Sequence, residues 1–558
     1  MMDRLIDTLS RSHARALAVL FGLTLLFFVP GQFTLQPMDR DEPRFAQASK
    51  QMMETGDYVD IRFQEEARHK KPVGIYWMQV AAVKLAEAAG AKDARGTIGY
   101  YRIPSLIGAM LVVGLTYWTA LAFLARPAAL MAAALMAGSI LLGVEARLAK
   151  TDAVLAATVV AAMGALARSY FAFVSPDVRG APGLGTALVF WIAIGIGILV
   201  KGPITPLIPL IVALFLAWRE RSFAWLKPMR PAMGLAIVLA IALPWLVAIA
   251  IKSGGSFFAE SVGKDMLGKV GSVAEKHWGP PGSYFFAFWA TFWPGAPLVA
   301  LTGWFWWSDR KDDAVTFLLA WILPMWLVLE AMPTKLPHYV LPLFPAVAIL
   351  IMMAVERRAI PFDGWRLPVS AGLMLLIPAA LLIGAPAAFW WFDRALPLAA
   401  MPLIGLATVL AAVAARSLWQ GEVRGALLVG LVAAVPLSIA AFRFGVPELK
   451  AINLSRHLAE VARSAGCDRP AFATAGFREP SLVFLTATDL DMMSGGEVPA
   501  FLYAPEGGCR IAFVESREEA EFNRLLPPMA TGHSLLGRVK GININGGRTL
   551  DIGVWIKR

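Results

Sequence analysis

The sequence predicts an all-helical polytopic membrane protein with about thirteen transmembrane helices, followed by a small C-terminal extramembrane α/β domain. Of the 558 residues, 58% are hydrophobic and only 16% are charged, and the mean hydropathy is +0.61. A soluble protein of this size cannot bury so much apolar surface. Most of the net positive charge of +11 falls in short loops on one side of the predicted membrane, which indicates membrane orientation rather than nucleic-acid binding.

Apolar runs of about 17–25 residues, the length that crosses a bilayer, mark the candidate spans. They lie at residues 16–34, 103–124, 127–144, 153–173, 184–200, 203–218, 231–251, 284–306, 314–331, 339–355, 368–391, 396–415 and 425–442. Arg4, Arg11 and Arg15 precede the first run, and no convincing small-x-small cleavage site follows it. This segment is therefore predicted to be an uncleaved signal anchor.

The charges of the loops predict the orientation. If the N-terminus is cytoplasmic, the loops on that side carry the excess of arginine and lysine, as the positive-inside rule requires. The opposite loops mix acids and bases, and they lie at residues 38–77, 145–152, 200–203, 252–283 and 333–339. Charged groups so close to lipid are costly unless they pair or bind something. We therefore predict one polar site, built from these loops, at the outer boundary of the membrane.

The composition changes after the last apolar run, and this change divides the chain. We expect a transmembrane catalytic domain at residues 1–445, whose periplasmic loop 35–97 carries the site. Residues 446–558 are expected to form a periplasmic α/β domain.

Local patterns predict the elements of this second domain. Leu454, Leu458 and Val461 repeat at helical spacing, and residues 516–519 have capping-box spacing. Cys467 and Cys509 would pair in an oxidising compartment, and the sequence leaves open whether they do. Alternating apolar runs lie at residues 471–476, 481–487, 510–514 and 550–556.

The first outer loop has the densest mixture of charges. Residues 44–53 have the spacing of a short amphipathic helix lying on the membrane surface, and Gly56 and Asp57 are expected to end it. Tyr76 and Trp77 then resemble an aromatic anchor at the bilayer interface.

Carboxylates in this loop are candidates for acid–base chemistry. Asp41 or Glu42, beside cations, would act as a general base toward a hydroxyl group. The alternative is that these acids simply pair with Arg40 and Arg44. Residues 39–41 also form an Asp-x-Asp tripeptide, a weak metal-binding signal that recurs at residues 489–491.

Other candidates lie in the remaining outer loops. Lys71, before Pro72, would meet a phosphate at headgroup depth, or would simply snorkel. Asp152 begins a span, where an acid also suits a helix N-terminus. Further site candidates, each at the outer end of a span or in an outer loop, are Arg147, Lys201, His277, Lys335 and His338.

No cofactor is required by any motif. His69, His277 and His338 would have to gather to bind a divalent metal, and their spacing has no metal-motif regularity, so the metal question stays open. The sequence shows no P-loop, dinucleotide fingerprint or serine-hydrolase elbow. ATP-driven transport and serine hydrolysis therefore lack support.

Taken together, the loop motifs resemble a known family. D-E-P-R-F-A-Q-A-S-K-Q-M-M-E-T-G-D-Y-V from Asp41, followed by K-K-P-V-G-I-Y-W from Lys70, is similar to the first outer loop of the lipid A aminoarabinose transferases. That family reads D-E-x-R-Y-A-E and then E-K-P-P-L-x-Y-W. Later blocks follow in the family's order: Y-R-I-P-S from Tyr101, A-R-L-A-K-T-D from Ala146, V-K-G-P from Val200 and T-K-L-P-H-Y-V-L-P-L-F-P from Thr334.

The resemblance implies a GT-C glycosyltransferase, a class that includes the protein O-mannosyltransferases. Asp41 would match the family's catalytic aspartate, with Glu42 and Arg44 completing the motif, and Asp152 its second acid. The donor phosphate would meet Lys71, Tyr339 and, by a loose alignment, Lys264. Lys70 departs from the family, which has an acid there, so the pocket is expected to be more cationic and the sugar or acceptor to differ.

The function that the resemblance implies is transfer of a sugar from a polyprenyl-phosphate carrier to an envelope acceptor, at the periplasmic face of a bacterial inner membrane. A glycolipid of the lipid A type is the first candidate, and a polysaccharide or a protein is an alternative. A membrane transporter or lipid flippase, or a non-catalytic lipid-binding protein, is the rival interpretation. The outer position of the charged residues favours the enzyme over a transporter, whose ionisable residues lie near the middle of the membrane.

Overall fold

The computed structural model describes residues 2–37, 40–177, 180–267, 278–361, 364–505, 507–527, 531–543 and 546–558. Within these residues, nine helices are long and apolar enough to cross a membrane. They are Ile98–Ala120, Asp152–Val174, Leu184–Lys201, Pro231–Lys252, Asp313–Ala331, Pro337–Glu356, Arg366–Asp393, Met401–Trp419 and Val423–Glu448.

The other four predicted runs overlap shorter or broken helices. Two of the runs are interrupted: one at Ser139, where the backbone is extended, and one next to Pro294, which lacks the amide hydrogen that a continuous helix needs. The helices are His13–Phe28, Arg126–Gly138 with Ile140–Glu145, Ile204–Glu220, and Ser283–Thr291 with Ala296–Ser308. Every predicted apolar run therefore overlaps helix, as the predicted fold class requires.

The centre of the bundle is the Asp152–Val174 helix, whose apolar window is 94% buried, against 22% for the peripheral Pro231–Lys252 helix. Its many alanines let neighbouring backbones approach closely, as is usual where helices pack in a membrane. At Gly108, an added Cβ would lie 2.8 Å from the backbone nitrogen of Val154. Close packing thus fixes the outer end of the central helix, where Asp152 lies.

The Asp41–Thr55 helix, called here the loop helix, extends the predicted one by about a turn at its start. Gly56, with φ 75°, ends it as predicted. The expectation that it lies on the membrane surface with a solvated face is wrong. Ten of its residues are buried, because it packs between the Gly74–Ala88 helix and the Pro480–Leu485 helix of the C-terminal part.

A hairpin of strands β1 (Arg62–Phe63) and β2 (Glu66–Ala67) follows the loop helix and leads to the Gly74–Ala88 helix. Tyr76 is fully buried and its ring lies 5.3 Å from that of Phe45. Trp77 is 40% exposed. Only the second residue of the predicted aromatic anchor is therefore free to face lipid.

Residues 446–558, called here the C-terminal unit, contain a five-stranded sheet of order β4-β3-β5-β7-β6. Strands β3 and β4, and β3 and β5, are parallel, whereas β5–β7 and β6–β7 are antiparallel. The strands are β3 (Ala471–Ala475), β4 (Asp491–Met493), β5 (Arg510–Glu515), β6 (His533–Asn543) and β7 (Arg548–Lys557). The helices are Leu454–Arg463, Pro480–Leu485, Val498–Leu502 and Glu519–Leu525.

Two local predictions for this unit are wrong. Residues 481–487 overlap the Pro480–Leu485 helix, because proline at a helix start favours helix over strand. The capping box at residues 516–519 does not form: Glu518 is the N-cap, and the hydroxyl of Ser516 donates to Glu515. Cys467 and Cys509 form a disulfide.

The remaining described helices are short. They are Met2–Leu9, Ile98–Tyr101, Ala224–Met229, Ser256–Phe258, Ala259–Leu267, Pro337–Leu343, Ala440–Gly445, Val446–Glu448 and Lys450–Ile452.

Candidate active site

Asp41 and Glu42 occupy the first turn of the loop helix, where the helix dipole favours acids, but their surroundings differ. Glu42 is fully buried, and its two carboxylate oxygens accept from Nε and Nη2 of Arg102 at 2.7 and 3.0 Å. The backbone amide of Ala149 donates to the same carboxylate at 3.0 Å. Glu42 therefore fixes the 145–152 loop against the loop helix.

Arg102 extends this connection to the chain before the loop helix. Its guanidinium donates to the backbone carbonyls of Gln32, Leu35 and Gln36 at 2.7–3.0 Å. An arginine that is fully buried must be paired and hydrogen-bonded to remain charged. The Glu42–Arg102 pair thus holds three segments of the outer face together.

Asp41, in contrast, has a side chain that is 41% exposed. Its Oδ1 lies 3.5 Å from Nη2 of Arg68 and 3.8 Å from Nη1 of Arg44. Burial opposes ionisation, but the charges of Arg68, Lys150, Arg44 and Lys70 outweigh it and lower the pKa of Asp41. Asp41 is therefore an ionised carboxylate that a ligand can reach.

A second acid, Asp152, lies at the start of the central helix. Its Oδ1 accepts a hydrogen bond from Nζ of Lys201 and lies 3.7 Å from Nε2 of His338. The other ring nitrogen of His338 lies 3.6 Å from Oε1 of Glu145. Lys201 also lies 5.2 Å from the centre of the Tyr339 ring. Three segments that are distant in sequence, at residues 145–152, 200–203 and 333–339, thus converge on Asp152.

Lys150 interacts with two acids of the site, Glu145 and Asp41. Its Nζ lies 3.7 Å from Glu145, and its charge also lowers the pKa of Asp41. Its carbonyl accepts from the Ser105 hydroxyl at 3.0 Å, which holds the 145–152 loop to the bundle. These side chains form a cluster of acids and bases beside the N-terminal end of the central helix.

Comparisons with known proteins show which proteins the chain resembles. A family model described as dolichyl-phosphate-mannose-protein mannosyltransferase matches residues 70–247. An undecaprenyl phosphate-alpha-4-amino-4-deoxy-L-arabinose arabinosyl transferase of Pseudomonas paraeruginosa is 28% identical over 376 residues, 64% of this chain and 64% of the relative. A Pseudomonas fluorescens enzyme of that name is 25% identical over 470 residues, 80% of each chain. The alignment with the first of these relatives spans slightly less than two thirds of its length.

A crystal structure of ArnT from Cupriavidus metallidurans, bound to undecaprenyl phosphate, shares the fold over nearly the whole chain. The TM-score is 0.74 at 17% identity, covering 96% of this chain and 97% of that one. In sequence the chain resembles these glycosyltransferases, and it has the GT-C fold. The family resemblance of the loop motifs is thereby confirmed.

In this GT-C chain, two predicted site residues lie outside the site. Arg147 is buried and donates to the carbonyls of Phe27, Pro30 and Gly143 and to the Ser438 hydroxyl. It joins helices instead of facing a ligand, because backbone carbonyls at helix ends need donors.

Lys335 also has a structural position. Its Nζ donates to the carbonyls of Leu329, Glu330 and Met332 at 2.6–2.9 Å. It therefore caps the C-terminal end of the Asp313–Ala331 helix, where a cation is favoured.

The site of three histidines considered from the sequence stays a prediction, because one of the three is not described. His69 pairs with Asp60 at 2.8 Å, away from His338, and His277 lies outside the described residues. Glu145, Asp152 and His338 do place ligand atoms within 4.8 Å of one another. Lys150 and Lys201 already neutralise those two carboxylates, so a divalent ion would have to displace two ammonium groups.

The remaining predicted site residues are partly buried or lie outside the described residues. Lys70 and Lys71 are half-buried in the turn before the Gly74–Ala88 helix, and Tyr339 is half-buried beside Lys201. The side chain of Lys264, in the Ala259–Leu267 helix, lies outside the described residues, as does Asp39 of the Asp-x-Asp tripeptide.

Sequence reasoning missed two site residues, Arg68 and Glu145. Arg68 lies 4.9 Å from the centre of the Phe45 ring as well as near Asp41. The available signal was charge density: residues 145–152 contain four charged side chains next to an apolar span, a costly pattern unless the charges pair.

Proposed function

We propose that this chain transfers a sugar from a polyprenyl-phosphate carrier to an acceptor hydroxyl at the periplasmic face of the inner membrane. The observation that carries the proposal is Asp41, an ionised and partly exposed carboxylate among cations. The relatives' names add the carrier class, since they are undecaprenyl phosphate-dependent arabinosyl transferases. The transferred sugar is a pentose or a hexose.

The reaction requires a base and a stabilised leaving group. The acceptor oxygen attacks the anomeric carbon and forms a new C–O bond, while its proton passes to the Asp41 carboxylate. The bond between the anomeric carbon and the phosphate oxygen breaks, and its electron pair stays on the phosphate. This direct displacement inverts the anomeric centre.

Cations around the site would bind the departing phosphate. Lys71, Arg44 and Lys201 supply positive charge, with Tyr339 as a hydroxyl donor, and charge-assisted hydrogen bonds to phosphate are strong. Asp152 holds Lys201 in place through its hydrogen bond. Glu42, predicted as catalytic, is better assigned as a positioning residue, because both of its oxygens are occupied and buried.

The acceptor we favour is a glycolipid of the lipid A type. This choice follows the similarity of the loop motifs to those of the lipid A aminoarabinose transferases; the family model, described by protein mannosylation, makes a protein acceptor the alternative. Lys70 adds a positive charge where the aminoarabinose transferases have an acid, which favours a sugar or acceptor that differs from theirs.

The orientation is part of the proposal: a cytoplasmic N-terminus and a periplasmic C-terminal unit. The Cys467–Cys509 disulfide supports it, since disulfides persist in oxidising compartments. The loop helix contacts the C-terminal unit through Gln47 and Thr488 at 2.7 Å, so the site lies on the same side of the membrane.

Transfer of labelled sugar from purified carrier lipid tests the proposal. Asp41→Asn keeps the shape of the side chain but cannot accept the proton, so turnover should fall about 10²–10⁴-fold while carrier binding survives. Glu65→Gln, an exposed acid in the β1–β2 turn, is the matched control and should leave turnover unchanged. Near-normal turnover in Asp41→Asn would remove Asp41 from the mechanism, and no transfer by the wild-type protein would favour a lipid-binding protein.

A further inference from the structure

A cleft lies between the segment that precedes the loop helix and the C-terminal unit. Its empty volume is about 510 Å³, including the open mouth. One wall is Gln36 and Pro37, and the opposite wall includes Asn453, Ser455 and Ser481. No residue of this cleft belongs to the acid–base cluster described above.

Asn453 gives this cleft an unsatisfied hydrogen-bonding group. The residue is 4% exposed, and its Nδ2 donates to the carbonyls of Pro447 and Leu449 at 3.2 and 3.0 Å. These carbonyls fix the orientation of the amide. Its Oδ1 is buried and accepts no hydrogen bond from any described residue. A buried acceptor without a donor is unfavourable, and a ligand hydroxyl entering the cleft would supply the donor.

The uncharged polar groups of the cleft also include two hydroxyls and a further amide. The hydroxyls of Ser455 and Ser481 lie 2.8 Å apart, and the amide of Asn543 donates to Glu479 at 2.8 Å. The apolar part of the wall includes Phe477. Hydroxyls and amides beside an aromatic ring suit a ligand that carries many hydroxyl groups.

The charges of the cleft are balanced, which argues against an anionic ligand. Arg456 pairs with Glu460 at 2.6 Å, and Glu479 lies 3.5 Å from Nε of Arg40. A phosphate or carboxylate ligand would meet the Glu479 carboxylate without an excess of positive charge. A neutral saccharide meets no such penalty.

We infer that this cleft binds a saccharide unit of the acceptor, an inference that rests on the proposed glycosyltransferase function. Arg40, which contacts the cleft residue Glu479, directly precedes Asp41 in the chain. The residues assigned to the donor phosphate, including Lys201 and Tyr339, lie instead at the outer ends of the bundle helices. The cleft is thus connected, through Glu479 and Arg40, to the residue next to the base.

Kinetics of a cleft-filling variant test the inference. Ser481→Tyr should raise KM for a lipid A acceptor at least about tenfold, with kcat at saturating acceptor and KM for the carrier within about twofold of wild type. Ser464→Tyr adds the same side chain at an exposed serine of the C-terminal unit that does not line the cleft; it is the matched control and should keep KM for the acceptor within about twofold of wild type. An unchanged KM for the acceptor in folded Ser481→Tyr would overturn the inference and leave the proposed function intact.

A measurement on the wild-type protein does not depend on folding of the variant. The de-acylated, dephosphorylated glucosamine disaccharide of lipid A, at millimolar concentration, should slow hydrogen exchange in residues 452–456 and 477–485, whereas maltose should not. Equal exchange with and without this disaccharide would overturn the inference. Absence of sugar transfer by the wild type, with protection still present, would instead count against the proposed function alone.

Discussion

At the residue scale, two adjacent carboxylates differ in role because their surroundings differ. Glu42 is buried with Arg102, and removing one partner of such a pair typically costs about 3–5 kcal/mol because an uncompensated charge remains buried. Asp41 is partly exposed and its ion pairs are longer, at 3.5 and 3.8 Å. Glu42 is therefore suited to hold the site together, and Asp41 to exchange a proton.

The pH dependence of kcat/KM should change when Arg68, a cation beside Asp41, is replaced. Arg68 lowers the pKa of Asp41, so Arg68→Gln should raise that pKa. Because the base must be deprotonated, the acidic limb of the kcat/KM profile should move to higher pH. The profile of Arg68→Lys, which keeps the charge, should stay close to wild type.

Arg62→Gln is the control from the same hairpin, since Arg62 pairs with Asp60 and not with Asp41. An acidic limb that stays at the wild-type pH in Arg68→Gln would show that Arg68 does not set the pKa of the base.

Part of this site could be predicted from residue types and part could not. The sequence predicts four of the site residues, Asp41, Asp152, Lys201 and His338. Ionisable side chains beside apolar spans are costly unless they pair or bind something. The same criterion also selects Arg147. Its partners, however, are mostly backbone carbonyls of distant helices. Carbonyl partners leave no mark in the sequence, so a structural arginine cannot be told from a ligand-binding one by type.

At the element scale, the loop helix illustrates what periodicity can and cannot predict. Its apolar spacing and Gly56 were enough to predict a helix and its end. The polar face of this helix is covered by the Pro480–Leu485 helix and the segment after it. These residues lie more than 400 positions later in the chain. Local sequence patterns carry no information about such a partner. They therefore predict a helix that lies on the membrane surface.

Thr488 is the centre of this interface. Its hydroxyl accepts from Gln47 and donates to Glu54, both at 2.7 Å, and its carbonyl accepts from Gln64 at 3.0 Å. Thr488→Val removes both hydroxyl bonds without changing the shape, at about 0.5–1.5 kcal/mol for each bond. Hydrogen exchange in residues 41–55 should become faster by roughly the corresponding factor.

Thr488→Ser keeps both hydrogen bonds and is the control. Wild-type exchange of the loop helix in Thr488→Val would indicate that apolar contacts alone hold the C-terminal unit against it.

At the scale of the whole molecule, the site and the C-terminal unit depend on each other. Arg40 and Gln47 connect the loop helix to Glu479 and Thr488 of that unit. The Glu42–Arg102 pair connects the same helix to the bundle. Because the loop helix contacts both parts, the orientation of the C-terminal unit decides the side of the membrane on which the acids act.

The disulfide gives a direct test of that orientation. If the C-terminal unit is periplasmic, Cys467 and Cys509 should resist a thiol-alkylating reagent in intact cells and react only after reduction. Replacing both by alanine should destabilise the unit by about 2–4 kcal/mol, the usual range for a bridge that closes a loop of this kind, since they are 42 residues apart. A reporter fused after Arg558 should likewise be active only in the periplasm. Free thiols in freshly isolated cells, with a cytoplasmically active reporter, would reverse the topology and place Asp41 on the cytoplasmic side, away from any periplasmic acceptor.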